Sequence, residues 1–319
     1  MIFVSHLVFT YITYTGLEVT DMKKLMTGLL LIIAFTYFSN NAIQITPYTL
    51  VTGKWPEALN GYKIVHLADL QSKVYGNNQK NLLKLIEQEK PDLIVFTGDL
   101  IDRRHYAKQP AIDLMKGCKN IAPTAFVTGN HEIWHGSANS LKSELNDIGI
   151  MVLDNKSVQI TDKGVSFTLI GLADRADFPS QSAYEQTLQH LTRTNSAEGK
   201  LTFISKVDQT TTLSKGTIDP SLTTKPYQIL ISHRPEQFPV YRSASIDLSL
   251  AGHSHGGQIR LPFLGGLIAP DQGILPEFDG GIYTEDTSTM IVSRGLGNSI
   301  FPVRVFNRPE IPVIVLQSK

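Results

Sequence analysis

The chain has 319 residues, of which 42% are hydrophobic and 18% charged, enough apolar material for a large packed core. Lys+Arg and Asp+Glu are balanced at 29 each, so no global basic field supports stable, non-specific nucleic-acid binding. Cys118 is the single cysteine, which excludes an internal disulfide and a cysteine-based metal cluster.

The first forty residues differ in character from the rest. Two apolar stretches, Ile2–Tyr14 and Leu25–Phe38, flank a short polar stretch that carries Lys23 and Lys24. A basic start, an apolar run and a polar exit form the layout of a signal sequence or a membrane anchor. No small-residue cleavage site of the A-x-A kind follows, which favours a retained anchor at 1–45 over a cleaved peptide. The run of 14 residues is short of the ~20 that cross a bilayer comfortably, and extension through Ile43 makes it long enough. Lys23 and Lys24 on its N-terminal side predict a membrane-anchored or exported domain outside the cytoplasm. Residues 1–21 read either as a further hydrophobic segment or as lying upstream of a true start at Met22. A buried core helix is the competing reading of Leu25–Phe38.

From residue 46 to the end, strand and helix signals alternate. Tyr62–Ala68 is apolar and β-branched, and Asn78–Lys90 carries its apolar residues at helical spacing until Pro91 ends it. Asp92–Thr97 reads as strand, Pro110–Lys119 as helix, Thr124–Thr128 as strand and Ala138–Ile148 as helix. Met151–Leu153 and Ser166–Leu172 read as short strands. Residues 174–222 are rich in Thr, Ser, Lys and Gln and read as a polar cap or excursion, partly helical at Ser182–Leu191. Strands return at Gln228–Ser232, Ile246–Leu250, Met290–Ser293 and Ile311–Leu316. The pattern predicts an α/β domain over 46–319 with two stacked sheets flanked by helices.

Five apolar runs end in residues that ligate metals: VHLADLQ, IVFTGDLID, AFVTGNHE, ILISH and LSLAGHSH. The candidates are Asp69, Gln71, Asp99, Asn130, His131, His233, His253 and His255. Strands that open into loops at one sheet edge gather such groups in one crevice, where open α/β sheets bind ligands. Each cluster alone is commonplace, since an aspartate after a strand is usually a turn residue. Five of them at successive strand ends point to a metal site.

The order of Asp69-Leu70-Gln71, Gly98-Asp99 with Asp102, Gly129-Asn130-His131-Glu132, His233 and Gly252-His253-Ser254-His255 resembles the signature of calcineurin-like metallophosphoesterases. The segments GHSHGGQIRLPFLGGLIAPDQG and SRGLGNSIFPVRVFNRPEIPVIVL resemble a membrane-associated or exported, phosphodiesterase-like bacterial branch. The resemblance implies a four-layer α/β/β/α sandwich and a dinuclear centre of two divalent ions. It implies a first site of Asp69, residue 71, Asp99 and His255, and a second of Asp99, Asn130, His233 and His253, with Asp99 shared. Such a centre clamps attacking and leaving oxygens and acidifies the attacking water, a bridging hydroxide. The resemblance gives His131 the role of assisting the leaving group, with Asp102 and Glu132 orienting the groups around it.

Position 71 departs from the family pattern, where a histidine is usual. A glutamine carbonyl is a harder, weaker donor than imidazole, which favours Mn²⁺, with Fe, Zn or Mg as alternatives. The implied activity is hydrolysis of a phosphoester, foremost a phosphodiester in a lipid headgroup, wall polymer or nucleotide. The alternatives are a phosphomonoesterase and a metal-binding protein with a weakened first site. Arg294, flanked by glycine in SRGLGN, is the first candidate for a phosphate-binding side chain.

Overall fold

The computed structural model describes residues 19–194, 225–298 and 303–319. It opens on helix α1 (Val19–Asn41), whose side chains from Leu25 to Phe38 stand mostly outside the protein, with Leu31 66% exposed. A core helix would bury them, so that reading fails for α1. Among the described residues, α1 is long and apolar enough to cross a membrane. Its last turn is fixed to the domain. Asn40 Oδ1 accepts the Arg304 amide at 2.9 Å, and Arg308 donates to the carbonyls of Ala42 and Ile43, each at 2.8 Å.

The strands that follow are β1 (Gln44–Thr52), β2 (Tyr62–Leu67), β3 (Leu93–Thr97), β4 (Thr124–Val127), β5 (Met151–Val152), β6 (Lys156–Asp162), β7 (Val165–Gly171), β8 (Gln228–Ile231) and β9 (Leu248–Ala251). Four two-residue strands come next: β10 (Arg260–Leu261), β11 (Gly265–Gly266), β12 (Ile268–Ala269) and β13 (Gly273–Ile274). Then come β14 (Gly281–Glu285), β15 (Ser288–Val292) and β16 (Glu310–Ser318). The helices are α2 (Lys80–Gln88), α3 (Gln109–Ile121), α4 (Asn130–His135), α5 (Ala138–Asp147), α6 (Gln181–Thr194) and α7 (Phe238–Ser243).

Two six-stranded sheets form, in the orders β1-β16-β2-β3-β4-β5 and β14-β15-β9-β8-β7-β6. β2 to β5 run parallel in the first, and β7, β8, β9 and β15 run parallel in the second. Alternation along the strands builds the layers. On β3, Leu93 and Val95 face the second sheet, against Leu169, Ile229 and Leu250. Ile94 and Phe96 face away, against Ile86 of α2, Met115 of α3 and Leu145 of α5. On the far side of the second sheet, Ile170 and Leu230 pack under Tyr184, Leu188 and Tyr241. Three apolar clusters separate four layers, an α/β/β/α sandwich.

Residues 174–194, the start of the stretch read as a polar cap, form a 3₁₀ turn (Arg175–Asp177) and α6, which is part of the outer helical layer. Tyr184, Leu188 and Leu191 recur at helical spacing and are buried on the second sheet. The rest of that stretch lies outside the described residues.

Candidate metal centre

The parallel strands of both sheets end at the same edge. Asp69 follows β2, Asp99 follows β3, Asn130 opens α4 after β4, His233 follows β8, and His253 and His255 follow β9. All six are buried, and so is Gln71. Asp69, Gln71, Asp99, His253 and His255 hold φ at +52°, +53°, +57°, +67° and +46°. Non-glycine residues reach this left-handed region at a cost, and its concentration here marks a site where backbone strain is spent on placing side chains. Two glycines make the close packing possible. A Cβ on Gly129 would lie 2.3 Å from Asp99 Oδ1, and one on Gly252 would lie 2.6 Å from Asp69 Oδ2.

One group of donors surrounds His233. Its Nδ1 donates to the Thr97 carbonyl at 2.7 Å, which turns Nε2 inward. Around that atom stand Asn130 Oδ1 at 3.1 Å, His253 Nδ1 at 3.1 Å and Asp99 Oδ2 at 3.4 Å. A proton on Nε2 can satisfy one of these three acceptors, whereas a divalent ion between them satisfies all. The donor set therefore fits a metal ion. A second group shares Asp99: one ligand atom each from Asp69, Asp99 and His255 lies within 4.8 Å of the others. His255 Nε2 lies 3.5 Å from Asp69 Oδ1, and its Nδ1 is buried without a hydrogen-bond partner. Gln71 Nε2 donates to Asp99 Oδ2 at 2.8 Å, and its Oε1 is likewise buried and unpartnered.

Without an ion, bound protons balance the charge of this cluster. Burial lifts the Asp69 carboxyl to about 7, opposed by His233 and reinforced by Asp99. Burial depresses the His233 imidazole, but Asp99 and Asp69 outweigh it and raise it to about 10. Asp99 stays well below the usual carboxylate range, because His233 and His131 overcome its burial. Burial pushes His255 well below its ordinary value, so it stands as a neutral ligand.

The remaining candidates surround this cluster. His131 Nδ1 accepts the Arg103 amide at 3.1 Å, so the neutral ring carries its proton on Nε2, 3.8 Å from Asp99 Oδ2. Asp102 lies 3.6 Å from that Nδ1, at ion-pair range, and accepts the Arg104 amide at 2.8 Å. Glu132 accepts the amides of Asp99, Ile101 and Gly129 at 3.0, 3.0 and 2.7 Å, locking the loop that carries Asp99. Arg294 is turned to Glu310, which accepts from its Nε at 3.0 Å and its amide at 3.1 Å. Asp271 enters the site without any sequence signal. It accepts from His253 Nε2 at 2.9 Å and from Arg234, whose guanidinium also pairs with Asp174 at 2.8 and 3.1 Å.

The family profile described as Calcineurin-like phosphoesterase matches residues 62–257, a span holding every strand-end candidate. A Bacillus subtilis relative, an uncharacterized metallophosphoesterase called YkuE, is 29% identical, covering 88% of each chain. The Escherichia coli phosphodiesterase YaeI is 26% identical over 80% of this chain and 82% of its own. A zebrafish transmembrane protein with metallophosphoesterase domain is 26% identical over 83% of this chain, which spans 55% of that protein.

Proposed function

Because the chain belongs to the calcineurin-like phosphoesterase family, we propose that it is a metal-dependent phosphodiesterase anchored by α1. The observation that carries the metal assignment is the convergence of Asn130 Oδ1, His253 Nδ1 and Asp99 Oδ2 on His233 Nε2. These four residues would hold one ion, and Asp69, Asp99, His255 and Gln71 a second. Bound there, divalent ions would supply positive charge to the phosphoryl oxygens and acidify the attacking water.

The chain's own residues supply the rest. Asp99 holds both positions together. Glu132 fixes the Asp99 loop through three amides. His131 carries its proton on Nε2, the nitrogen turned toward Asp99, from where it can donate a hydrogen bond that steadies the charge on the departing oxygen. The oxygen donors Gln71 and Asn130 favour Mn²⁺ over Zn²⁺. The diester preference is supported by the sequence after His253 and by the relative named a phosphodiesterase. Lys23 and Lys24 on the N-terminal side of α1 favour a domain outside the cytoplasm.

The test is a metal-by-substrate panel on the full chain. With Mn²⁺, bis-p-nitrophenyl phosphate should turn over faster than p-nitrophenyl phosphate. Asn130→Ala and His253→Ala should remove activity while leaving the circular dichroism spectrum intact. Faster turnover of the monoester would move the reading to a phosphomonoesterase. Undiminished activity in either variant would end the metal assignment.

A further inference from the structure

Outside α1, exposed large apolar side chains concentrate on one small substructure. Phe263, Leu264, Ile268, Ile274, Leu275 and Phe306 are all more than half exposed, and Phe263 is fully so. They belong to one continuous set of backbone pairings. Ile259 bridges Val305, β10 pairs with β11, Leu267 accepts the Leu275 amide at 2.8 Å, and Ile268 pairs with Ile274. The patch runs directly into the helix, where the Phe306 ring lies 5.0 Å from that of Phe35 in α1. Soluble surfaces rarely carry such a contiguous patch without a partner.

The same substructure holds the metal-binding side chains. Asn307 donates to the His255 carbonyl at 2.7 Å, and Asp271, at the tip between β12 and β13, holds His253 Nε2. Beside His131, the exposed Arg103 stacks its guanidinium over the half-exposed Trp134 at 4.5 Å, with Arg104 exposed next to it. Apolar tips next to a bilayer-length helix, with aromatic and cationic groups beside the site, match the interface of a membrane carrying anionic headgroups.

We propose that the 260–275 hairpins and Phe306 enter the same bilayer face as α1, so that the site opens onto the headgroup layer. Its substrate is then a phosphodiester of a bilayer lipid. Water cleaves one P–O bond, leaving a phosphomonoester on one product and a hydroxyl on the other. The substrate assignment rests on the phosphodiesterase reading above; the docking does not.

Two arms test it on the full chain. In the first, Phe263, Leu264, Ile274 and Leu275 are replaced together by serine, and an apolar control carries Phe263→Trp with Leu264→Phe. The serine variant should keep bis-p-nitrophenyl phosphate turnover within about twofold, whereas hydrolysis of phosphatidylglycerol in vesicles should drop tenfold or more. The control should keep both. Equal lipid turnover in the serine variant, or aryl-diester turnover without lipid hydrolysis in any form, overturns the proposal. In the second arm, Phe263→Cys carries an environment-sensitive label, with Cys118 too buried to compete. In nanodiscs with nitroxide lipids, quenching of the label supports docking even if no turnover of any substrate is found. Shielding that depends on protein concentration and not on lipid assigns the patch to a second copy and overturns it.

Discussion

Gln71 holds the carboxylate of Asp99 directly, its Nε2 donating to Oδ2 at 2.8 Å. The residue at the family's histidine position is thus already engaged with the group shared by both metal positions. A half-turn of the amide exchanges its two ends, facing Oε1 toward the first position. Either way, in the proposed centre the first position would have one ligand weaker than imidazole, while the second would have its full set. We expect Gln71→His to retain the first ion tenfold or more tightly. Calorimetric titration of chelated protein with Mn²⁺ should show two unequal steps in the wild type that draw together in the variant. Wild-type protein that keeps two ions through mild chelation contradicts this.

In the proposed centre, Asp271 would position His253 rather than ligate. Its carboxylate can only accept, so the proton of His253 sits on Nε2 and Nδ1 is left with its lone pair toward His233. Carboxylates behind a ligating histidine are typically worth ten- to a hundred-fold in metal affinity. Asp271→Ala should weaken the tighter step of the titration, the one assigned to the position that includes His253, by about that factor. Asp271→Asn, whose amide oxygen still accepts, should recover most of it. A variant that lowers thermal stability and leaves both binding steps unchanged would reduce Asp271 to a structural residue.

The candidate ligands were legible because each follows an apolar run that reads as a strand. Asp99 after IVFTG and His233 after ILIS are examples, and parallel strands place such ends together. The inner and outer faces of β3 were legible in the same way. Strand β1 was not, because its exposure alternates between partial and full and it has no continuous apolar run. The insertion of β16 between β1 and β2 depends on pairing across most of the chain, which local pattern does not encode. Asp271 and Asp174 come from loops nearly a hundred residues apart and meet only through Arg234. The left-handed backbone at Asp69, Gln71 and His253 is a product of tertiary packing, since none of these residue types requires it.

Cys118 lies fully buried in the cluster under α3, and burial pushes its thiol far above the ordinary value. A thiol in that setting is a small apolar side chain and has no nucleophilic role. Native protein should resist iodoacetamide and take up one equivalent after unfolding in guanidinium. Cys118→Ala should lose on the order of 1–2 kcal/mol of stability and keep full phosphodiester turnover. A large loss of turnover without unfolding would reopen the assignment.

The strongest pH dependence should belong to the metal-free protein. Asp69 and Glu132 are raised to about 7 by burial and by Asp99, from ordinary values of 3.8 and 4.5. His233 is raised from 6.5 to about 10 against its burial by Asp99. In each case the folded state binds a proton more tightly than the unfolded chain. The two carboxyl contributions are present at low pH and lost as pH rises from about 4 through about 7. The His233 contribution is full below 6.5 and lost as pH rises toward 10. Depressed Asp99 has the opposite sign in a window below about 4, and buried His66, His131 and His255, up to about 6.5, and Lys73, above about 7, also oppose the trend. With these opposing groups the net loss for chelated protein between pH 5.5 and 8.5 should be small, on the order of 1 kcal/mol, about 2–4 °C in thermal midpoint. Divalent ions replace those protons, so stabilisation by Mn²⁺ should grow over the same interval. Thermal melts with chelator and with Mn²⁺ at both pH values measure this. A Mn²⁺ increment that shrinks over this interval would show that the buried carboxylates and His233 do not hold those protons.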